Sequence, residues 1–115
     1  MQNFENLNVY KRALNIVDDI YEITKSFPKE EIFLLTNQIR RAAISIVLNI
    51  VEGSGRTKKE FSHFLNMSRT SAFECIAAFQ ICLRRKYIIQ NQFDNIYNEL
   101  EIIIKMISKL KSSIS

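Results

Sequence analysis

Apolar and polar residues alternate along most of the chain with the period of an α-helix. Apolar side chains recur every three or four positions, as at Leu14, Val17 and Tyr21, and this spacing places them on one helical face. We therefore predict an all-α protein with four helices. The predicted helices span about residues 7–25, 29–53, 57–86 and 91–112.

Several residues indicate where these helices begin and end. Pro28 suits the first turn of the second helix, because its missing N–H would be unsatisfied there in any case. Gly53 is predicted as the glycine cap that ends this helix, with Gly55 in the turn after it. Thr57 and Glu60 have the T-x-x-E spacing of a capping box, which predicts the start of the third helix.

Length and composition bound the architecture. The chain has 115 residues, of which 47% are hydrophobic, enough for one core and a single domain over residues 1–115. It contains only two glycines and one proline, whereas a sheet-rich fold would need many more turn residues. Short connections between long helices predict an antiparallel up-down-up-down four-helix bundle.

The second predicted helix is apolar on more than one side. Ile32, Ile39 and Ile46 follow one row, while Phe33, Ile44 and Leu48 cover another. A helix in a lone bundle buries one apolar stripe, so the surplus of apolar residues predicts a partner subunit. Partial exposure of these residues near the bundle ends would also account for the surplus. The same helix carries one continuous polar row, formed by Gln38, Arg41, Ser45, Asn49 and Glu52.

Two polar residues of the third helix are expected to meet this row. Ser71 and Glu74 interrupt an otherwise apolar neighbourhood, and a carboxylate placed there would need a cation. Arg41 or Arg40 is the expected partner of Glu74. We interpret the set as a structural and assembly network rather than a catalytic one.

The positive charge is concentrated in the second half of the chain. The formal net charge is +4, with residues 1–52 slightly acidic and residues 53–115 strongly basic. In an up-down bundle, the first and third helices begin at the end where the fourth helix closes. The cations of that end are opposed by only three carboxylates, those of Glu5, Glu52 and Glu60. The cations predicted at that end, and proposed as nucleic-acid contacts, are Lys11, Arg12, Arg56, Lys58, Lys59, Lys105, Lys109 and Lys111.

The turn between the second and third helices carries two glycines and, after them, three cations. Exposed backbone N–H groups and the helix dipole at such a position favour anions. The segment does not match the phosphate loop of nucleotide hydrolases. A tight interhelical turn is sufficient to explain Gly53 and Thr57, so both interpretations stand.

No pattern predicts catalysis or a cofactor. Glu60 and His63 have the E-x-x-H spacing of di-iron bundles, but the spacing occurs once and the chain has one histidine, so no metal is expected. No residues mark a nucleophile with its base, and we expect neither an enzyme nor a small-molecule substrate. Cys75 and Cys82 lie too far apart on one helix to form a disulfide and are expected to be buried thiols.

The sequence favours a cytoplasmic protein with no membrane contact. No apolar run approaches the roughly 18 residues that a membrane span requires. The first ten residues also lack the basic start and apolar centre of a signal peptide.

An ordered set of motifs resembles the four-helix-bundle family of ribosomal-RNA intervening-sequence proteins, which is related to the accessory variability proteins of diversity-generating retroelements. The similarity runs from Phe4 to about Lys109. The motifs that carry it are Phe27-Pro28, Glu31, Gln38-Ile-Arg-Arg-Ala-Ala-Ile-Ser45, Asn49-Ile-Val-Glu-Gly53, Ser71 and Glu74.

This resemblance implies a ring-like homopentamer of four-helix bundles, and it brings no catalytic motif. It assigns Gln38, Arg41, Ser45, Asn49, Glu52, Gly53, Ser71 and Glu74 to fold and assembly. Retroelement members contact a reverse transcriptase and nucleic acid. The leading hypothesis is a non-enzymatic oligomer that binds RNA, DNA or a nucleic-acid enzyme through basic surface. The alternative is a protein-protein interaction scaffold without direct nucleic-acid contact.

Overall fold

The computed structural model describes residues 3–114, so Met1, Gln2 and Ser115 of the predicted domain lie outside the described residues. Within that span the protein is all α, with no strand, and it measures 42 × 23 × 22 Å. A 3₁₀ turn at Asn3–Asn6 precedes the first long helix. The four α-helices are α1 Asn8–Thr24, α2 Asn37–Ser54, α3 Lys58–Arg84 and α4 Gln90–Ile114. The prediction of an all-α fold with four helices is confirmed.

Each helix packs against its neighbours in the chain, and α1 also packs against α4. The four helices therefore enclose one core. α1 contributes a buried row at spacings of three and four, and α4 contributes Ile96, Leu100, Ile103 and Ile107 in the same way. The most extensive interface lies between α2 and α3.

The entry to α2 differs from the predicted helix start at residue 29. Lys29–Glu31 form a 3₁₀ turn, and Ile32–Thr36 form a π-helical turn before the regular helix begins. A π turn accommodates an extra residue, so it rotates the residues before it relative to the helix after it. Phe33 and Leu34 are 88% and 67% exposed. Ile32, which follows the same row as Ile39 in the sequence, is exposed as well.

A side-chain hydrogen bond joins this entry segment to the turn between α3 and α4. The Tyr87 hydroxyl donates to Glu31 Oε2 over 2.7 Å, and the Tyr87 ring packs against Phe27. Phe27 is buried, so the connection between α1 and α2 and the turn between α3 and α4 are both attached to the core.

α3 is the longest helix and carries both cysteines on its buried face. Cys75 and Cys82 are fully buried free thiols. Burial raises the pKa of each thiol to about 12, so both are protonated at neutral pH and poor nucleophiles. They serve as small core residues.

Within residues 3–114, none of the helices combines the length and the apolar character that a membrane span requires.

Candidate nucleic-acid interface

Inter-helix contacts bring the start of α1, the start of α3 and the close of α4 to one end of the molecule. Lys111 Nζ donates to Asn66 Oδ1 over 2.6 Å, which places the last turns of α4 beside the first turns of α3. Asn8 and Lys109 line a common groove, which places α1 beside the same turns of α4. We call the eight cations predicted for this region the basic end. Its members are Lys11, Arg12, Arg56, Lys58, Lys59, Lys105, Lys109 and Lys111.

Five lysines of the basic end are exposed, and no hydrogen bond or ion pair within residues 3–114 engages their ammonium groups. They are Lys11, Lys58, Lys59, Lys105 and Lys109. An exposed ammonium group without an internal partner is available to a phosphate.

Arg56 differs from these lysines, because its guanidinium group is held within the chain. It forms ion pairs with Glu52 and Glu60, and its Nε donates to the Glu52 carbonyl over 3.1 Å. The group also lies 5.1 Å from the centre of the Phe64 ring. The hydrogen bond with Glu52 is the largest cause that raises the pKa of Arg56. The charge of Arg56 is therefore largely compensated locally.

Arg12 and Lys111 are also engaged. Arg12 Nε lies 2.7 Å from Glu99 Oε1, and this ion pair joins α1 to α4. Glu99 was not among the carboxylates predicted at this end, and it compensates the charge of Arg12 locally. The hydrogen bond to Asn66 likewise orients Lys111 toward α3.

The N-terminus of α3 is capped by its own side chains. Thr57 Oγ1 accepts a hydrogen bond from the Glu60 N–H over 3.2 Å, and the Glu60 carboxylate accepts one from the Thr57 N–H. Hydrogen bonding from Thr57 is the main cause that lowers the pKa of Glu60. Because a carboxylate of the chain itself already lies at this terminus, the anion site considered for the turn is not open there.

Of the two glycines near this turn, Gly55 lies at the helix cap and turn as predicted, whereas Gly53 is not the residue that ends the helix. Gly53 lies inside the last turn of α2, and Gly55 occupies the cap with φ of −94°. Neither has a positive φ. Gly53 is buried against Phe61 and Phe64 of α3. A glycine is therefore needed at this position because the two helices approach each other closely, and not because the residue ends a helix.

The centre of the predicted polar row forms a hydrogen-bonded cluster between α2 and α3. Ser71 Oγ donates to Ser45 Oγ over 2.9 Å, and Asn49 Nδ2 donates to the same oxygen over 2.9 Å. Asn49 Nδ2 also lies 2.9 Å from the Ser45 carbonyl oxygen. The ends of the row lie outside this cluster, because Gln38 is exposed and Glu52 pairs with Arg56.

The expected pairing of Glu74 does not occur within the chain. Glu74 is exposed, and none of the ion pairs formed by residues 3–114 includes it. Arg40 instead donates from Nε to Thr24 Oγ1 over 2.9 Å and lies 4.5 Å from the centre of the Tyr21 ring. Arg41 is exposed. Side-chain spacing placed Glu74 near α2 but could not tell that its carboxylate points outward.

Sequence reasoning missed two polar contacts that join the helices. Ser68 is fully buried, and its hydroxyl donates to the Ile46 carbonyl oxygen over 2.7 Å. The buried Thr24 hydroxyl donates to the Ile20 carbonyl oxygen over 2.8 Å while it accepts from Arg40. Both hydroxyl residues occur at core spacing in their helices, which was the available signal.

His63 is exposed on α3, and its ring lies against Phe64 at an edge-to-face angle. No three His, Cys, Asp or Glu side chains in residues 3–114 are grouped closely enough to hold a metal ion.

The fold and this surface define a class of protein. It is a small all-helical protein with five exposed lysines at one end and a polar cluster that joins two central helices. Residues 5–109 match the family described as 23S rRNA-intervening sequence protein. The chain belongs to this family, which confirms the resemblance seen in its motifs.

A solved structure of the same kind supports the fold. The crystal structure of a protein of unknown function from the S23 ribosomal protein family of Bacteroides thetaiotaomicron, determined at 1.70 Å resolution, is similar with a TM-score of 0.83. The two sequences are 25% identical, and the alignment covers 90% of this chain and 97% of that one. No curated protein matches the chain.

Proposed function

We propose that this protein is a cytoplasmic, non-enzymatic accessory protein that assembles as a ring-like homo-oligomer and binds RNA through its basic end. The observation that carries the proposal is the group of five exposed lysines without internal partners at that end. The family description adds a link to 23S rRNA, which favours RNA over DNA. The same surface would also contact the RNA that is bound to a nucleic-acid enzyme.

Contacts between helices support an antiparallel up-down-up-down arrangement for each copy. Asn66 near the start of α3 bonds to Lys111 near the end of α4, while Arg69, one turn later, bonds to Ser108. Thus the register of α4 falls as that of α3 rises. In a ring, cyclic symmetry would repeat the basic end once per copy and strengthen its field.

Exposed apolar side chains support assembly. Phe33, Leu34 and Leu48 of the α2 region are exposed, as are Met67 and Ile81 of α3. A soluble monomer rarely leaves several large apolar residues open on neighbouring helices. The ring with about five copies is the form that the family resemblance implies.

A non-enzymatic role is supported by the surroundings of His63. This is the one histidine of the sequence, and no hydrogen bond within residues 3–114 joins it to a hydroxyl, thiol or carboxylate. A nucleophile and base that act together need such a contact.

The direct test measures binding of a structured 23S rRNA fragment at several salt concentrations. Counterion release makes affinity fall steeply with salt when phosphates are neutralised by lysines. The double variant K58E/K59E should weaken binding at least tenfold at low salt and reduce the slope of log K against log salt by about 2 per bound copy. Arg56 is left unchanged, because its replacement would also release Glu52 and Glu60.

The matched control is K29E/K86E, which makes the same charge change at two exposed lysines outside the basic end. It should keep nearly all the affinity. Equal loss in both double variants would mean that net charge alone governs binding and would overturn the assignment of the basic end.

A second candidate function, a protein-binding scaffold, is favoured by one observation. The consecutive residues Ile32, Phe33 and Leu34 are all exposed, and apolar anchors of this kind are typical of protein interfaces. In this case K58E/K59E would leave function unchanged, and partner affinity would depend only weakly on salt.

A further inference from the structure

The seam between α1 and α4 is open at the basic end. Among the neighbouring pairs of helices, α1 and α4 have the least extensive interface. Two grooves with volumes of about 360 and 420 Å³ follow this seam. Asn8 and Met106 line both of them, so they form one continuous channel, which we call the α1–α4 groove. Its volume is in the range of clefts that hold small organic groups, about 300–1,000 Å³.

The α1–α4 groove has an apolar floor. Leu7, Met106 and Leu110 line it, and each is partly buried because it also packs against the core. Such a floor offers nothing to a phosphate. It does suit the flat face of an unstacked base, since contact with the floor removes apolar surface of both from water.

Lysines lie on both sides of this floor. Lys11 of α1 lines one side and Lys109 of α4 lines the other. Both belong to the five exposed lysines that have no partner in the described part of the chain. Glu99 also lines the groove, but its carboxylate is paired with Arg12. Three cations and one carboxylate leave the groove positive, which is complementary to a phosphate backbone that crosses it.

Two asparagines of α1 face the same groove. Asn8 and Asn15 lie two turns apart, both are exposed, and neither side-chain amide makes a hydrogen bond to any residue from 3 to 114. Asn8 does not cap its helix, because the cap position is occupied by Leu7. A carboxamide carries both a donor and an acceptor, which match the hydrogen-bonding edge of a base.

We infer that the α1–α4 groove receives an unpaired base of the bound RNA. Asn8 and Asn15 bond to the edge of the base, and the lysines on the two sides hold the flanking phosphates. This inference rests on the proposed RNA binding and specifies the RNA. A base inside a duplex is stacked and paired, so only a loop, a bulge or a single strand can supply one. A protein segment could use the apolar floor, but the two unpartnered lysines favour a polyanion.

A pair of matched ligands tests whether bases are bound. One is a short single-stranded oligoribonucleotide, and the other is its abasic counterpart with the same number of phosphates. At low salt the ordinary strand should bind about tenfold more tightly, because base contacts are lost in the abasic strand. Both should show the same slope of log K against log salt, since the phosphates are equal in number.

The possible failures of this comparison have different meanings. Equal affinity for the two strands would overturn the base-binding groove and would leave binding by charge intact. Absence of binding to either strand at low salt would overturn the proposed RNA binding together with the groove.

A double variant tests whether the base lies in this groove. N8A/N15A leaves every charge in place, so it should weaken binding of the ordinary strand about tenfold while the salt slope and the affinity for the abasic strand stay the same. Alanine is a better helix former than asparagine, so the variant is expected to fold, which circular dichroism checks.

The matched control is N91A/N95A, which removes two exposed amides of α4 outside the basic end. It should leave the affinity for both strands unchanged. A preference for the ordinary strand that survives in N8A/N15A would place the base elsewhere. The groove would then be left to another occupant, such as a protein segment, and the inference would be overturned.

Discussion

Gly53 and Phe64 are packed so closely that a Cβ added to Gly53 would lie 2.7 Å from the Phe64 Cβ. It would also lie 3.3 Å from the Phe61 Cα, which is backbone and cannot rotate away. The contact determines how near α2 approaches α3 just before the turn to the basic end.

Gly53→Ala should therefore lower the free energy of unfolding by about 1–3 kcal/mol, the usual cost of overpacking. The control is Gly55→Ala, where an added Cβ meets nothing within 4 Å. Gly55 has a negative φ, so alanine is expected to be neutral or to stabilise by up to about 1 kcal/mol. Urea unfolding of both variants provides the comparison. Equal stabilities would contradict the close approach.

Lys86→Gly should stabilise the fold. Lys86 has φ of 63°, and its N–H and that of Tyr87 donate to the Leu83 and Cys82 carbonyls, the pattern of a Schellman cap. Glycine accepts this conformation without strain, and the net gain after its extra chain entropy is about 0.5–1 kcal/mol. Lys86→Ala, which removes the charge but keeps Cβ, should bring no such gain in thermal unfolding.

The capping box should make stability depend on pH through Glu60. The lowered pKa of Glu60 means that the folded state favours the carboxylate, so its contribution is complete above the ordinary value of 4.5. The contribution is lost as the pH falls through the lower folded value. Wild type should thus exceed Glu60→Gln in denaturation midpoint at pH 7, with the difference shrinking below about pH 4.

Thr57→Ala serves as the background for this comparison, because Thr57 is the main cause of the lowered pKa. In that background, Glu60→Gln should change the pH dependence much less. An unchanged effect would assign the dependence to Arg56 or to more distant charges.

Ser68→Ala should lower the free energy of unfolding by about 1 kcal/mol, since it removes a buried hydrogen bond between helices. The Ser68 hydroxyl donates to the Ile46 carbonyl over 2.7 Å. Ser113→Ala is the matched control, because Ser113 makes an equally short bond to the Leu110 carbonyl but is exposed. Its replacement should change the unfolding midpoint very little. A similar effect of the two variants would mean that burial adds nothing to this bond.

The helices could be predicted from the sequence because helical spacing and the Thr57 to Glu60 cap are local signals. The π turn at Ile32–Thr36 could not, because Ile32, Leu35 and Ile39 also fit a regular helix. The positive φ of Lys86, a conformation that favours glycine, could not be predicted either. The cap at this position depends on backbone geometry and not on the residue type.

The candidate site was less predictable than the fold. Lysine positions and helix direction indicated which end is basic, but the pairing of Arg12 with Glu99 joins residues far apart in the chain. The outward direction of Glu74 likewise depends on how α3 is rotated against α2. Such contacts arise from packing between helices, which a helical wheel of one segment does not describe.

The central claim is that the protein is an oligomer that binds RNA by charge. Light scattering of the wild-type protein at low and moderate salt, with and without the 23S rRNA fragment, tests this claim most directly. We predict a mass of about five copies that increases with RNA at low salt and returns to that of the protein alone at moderate salt. A mass that ignores RNA at every salt concentration would contradict the nucleic-acid role, and a monomer would contradict the assembly.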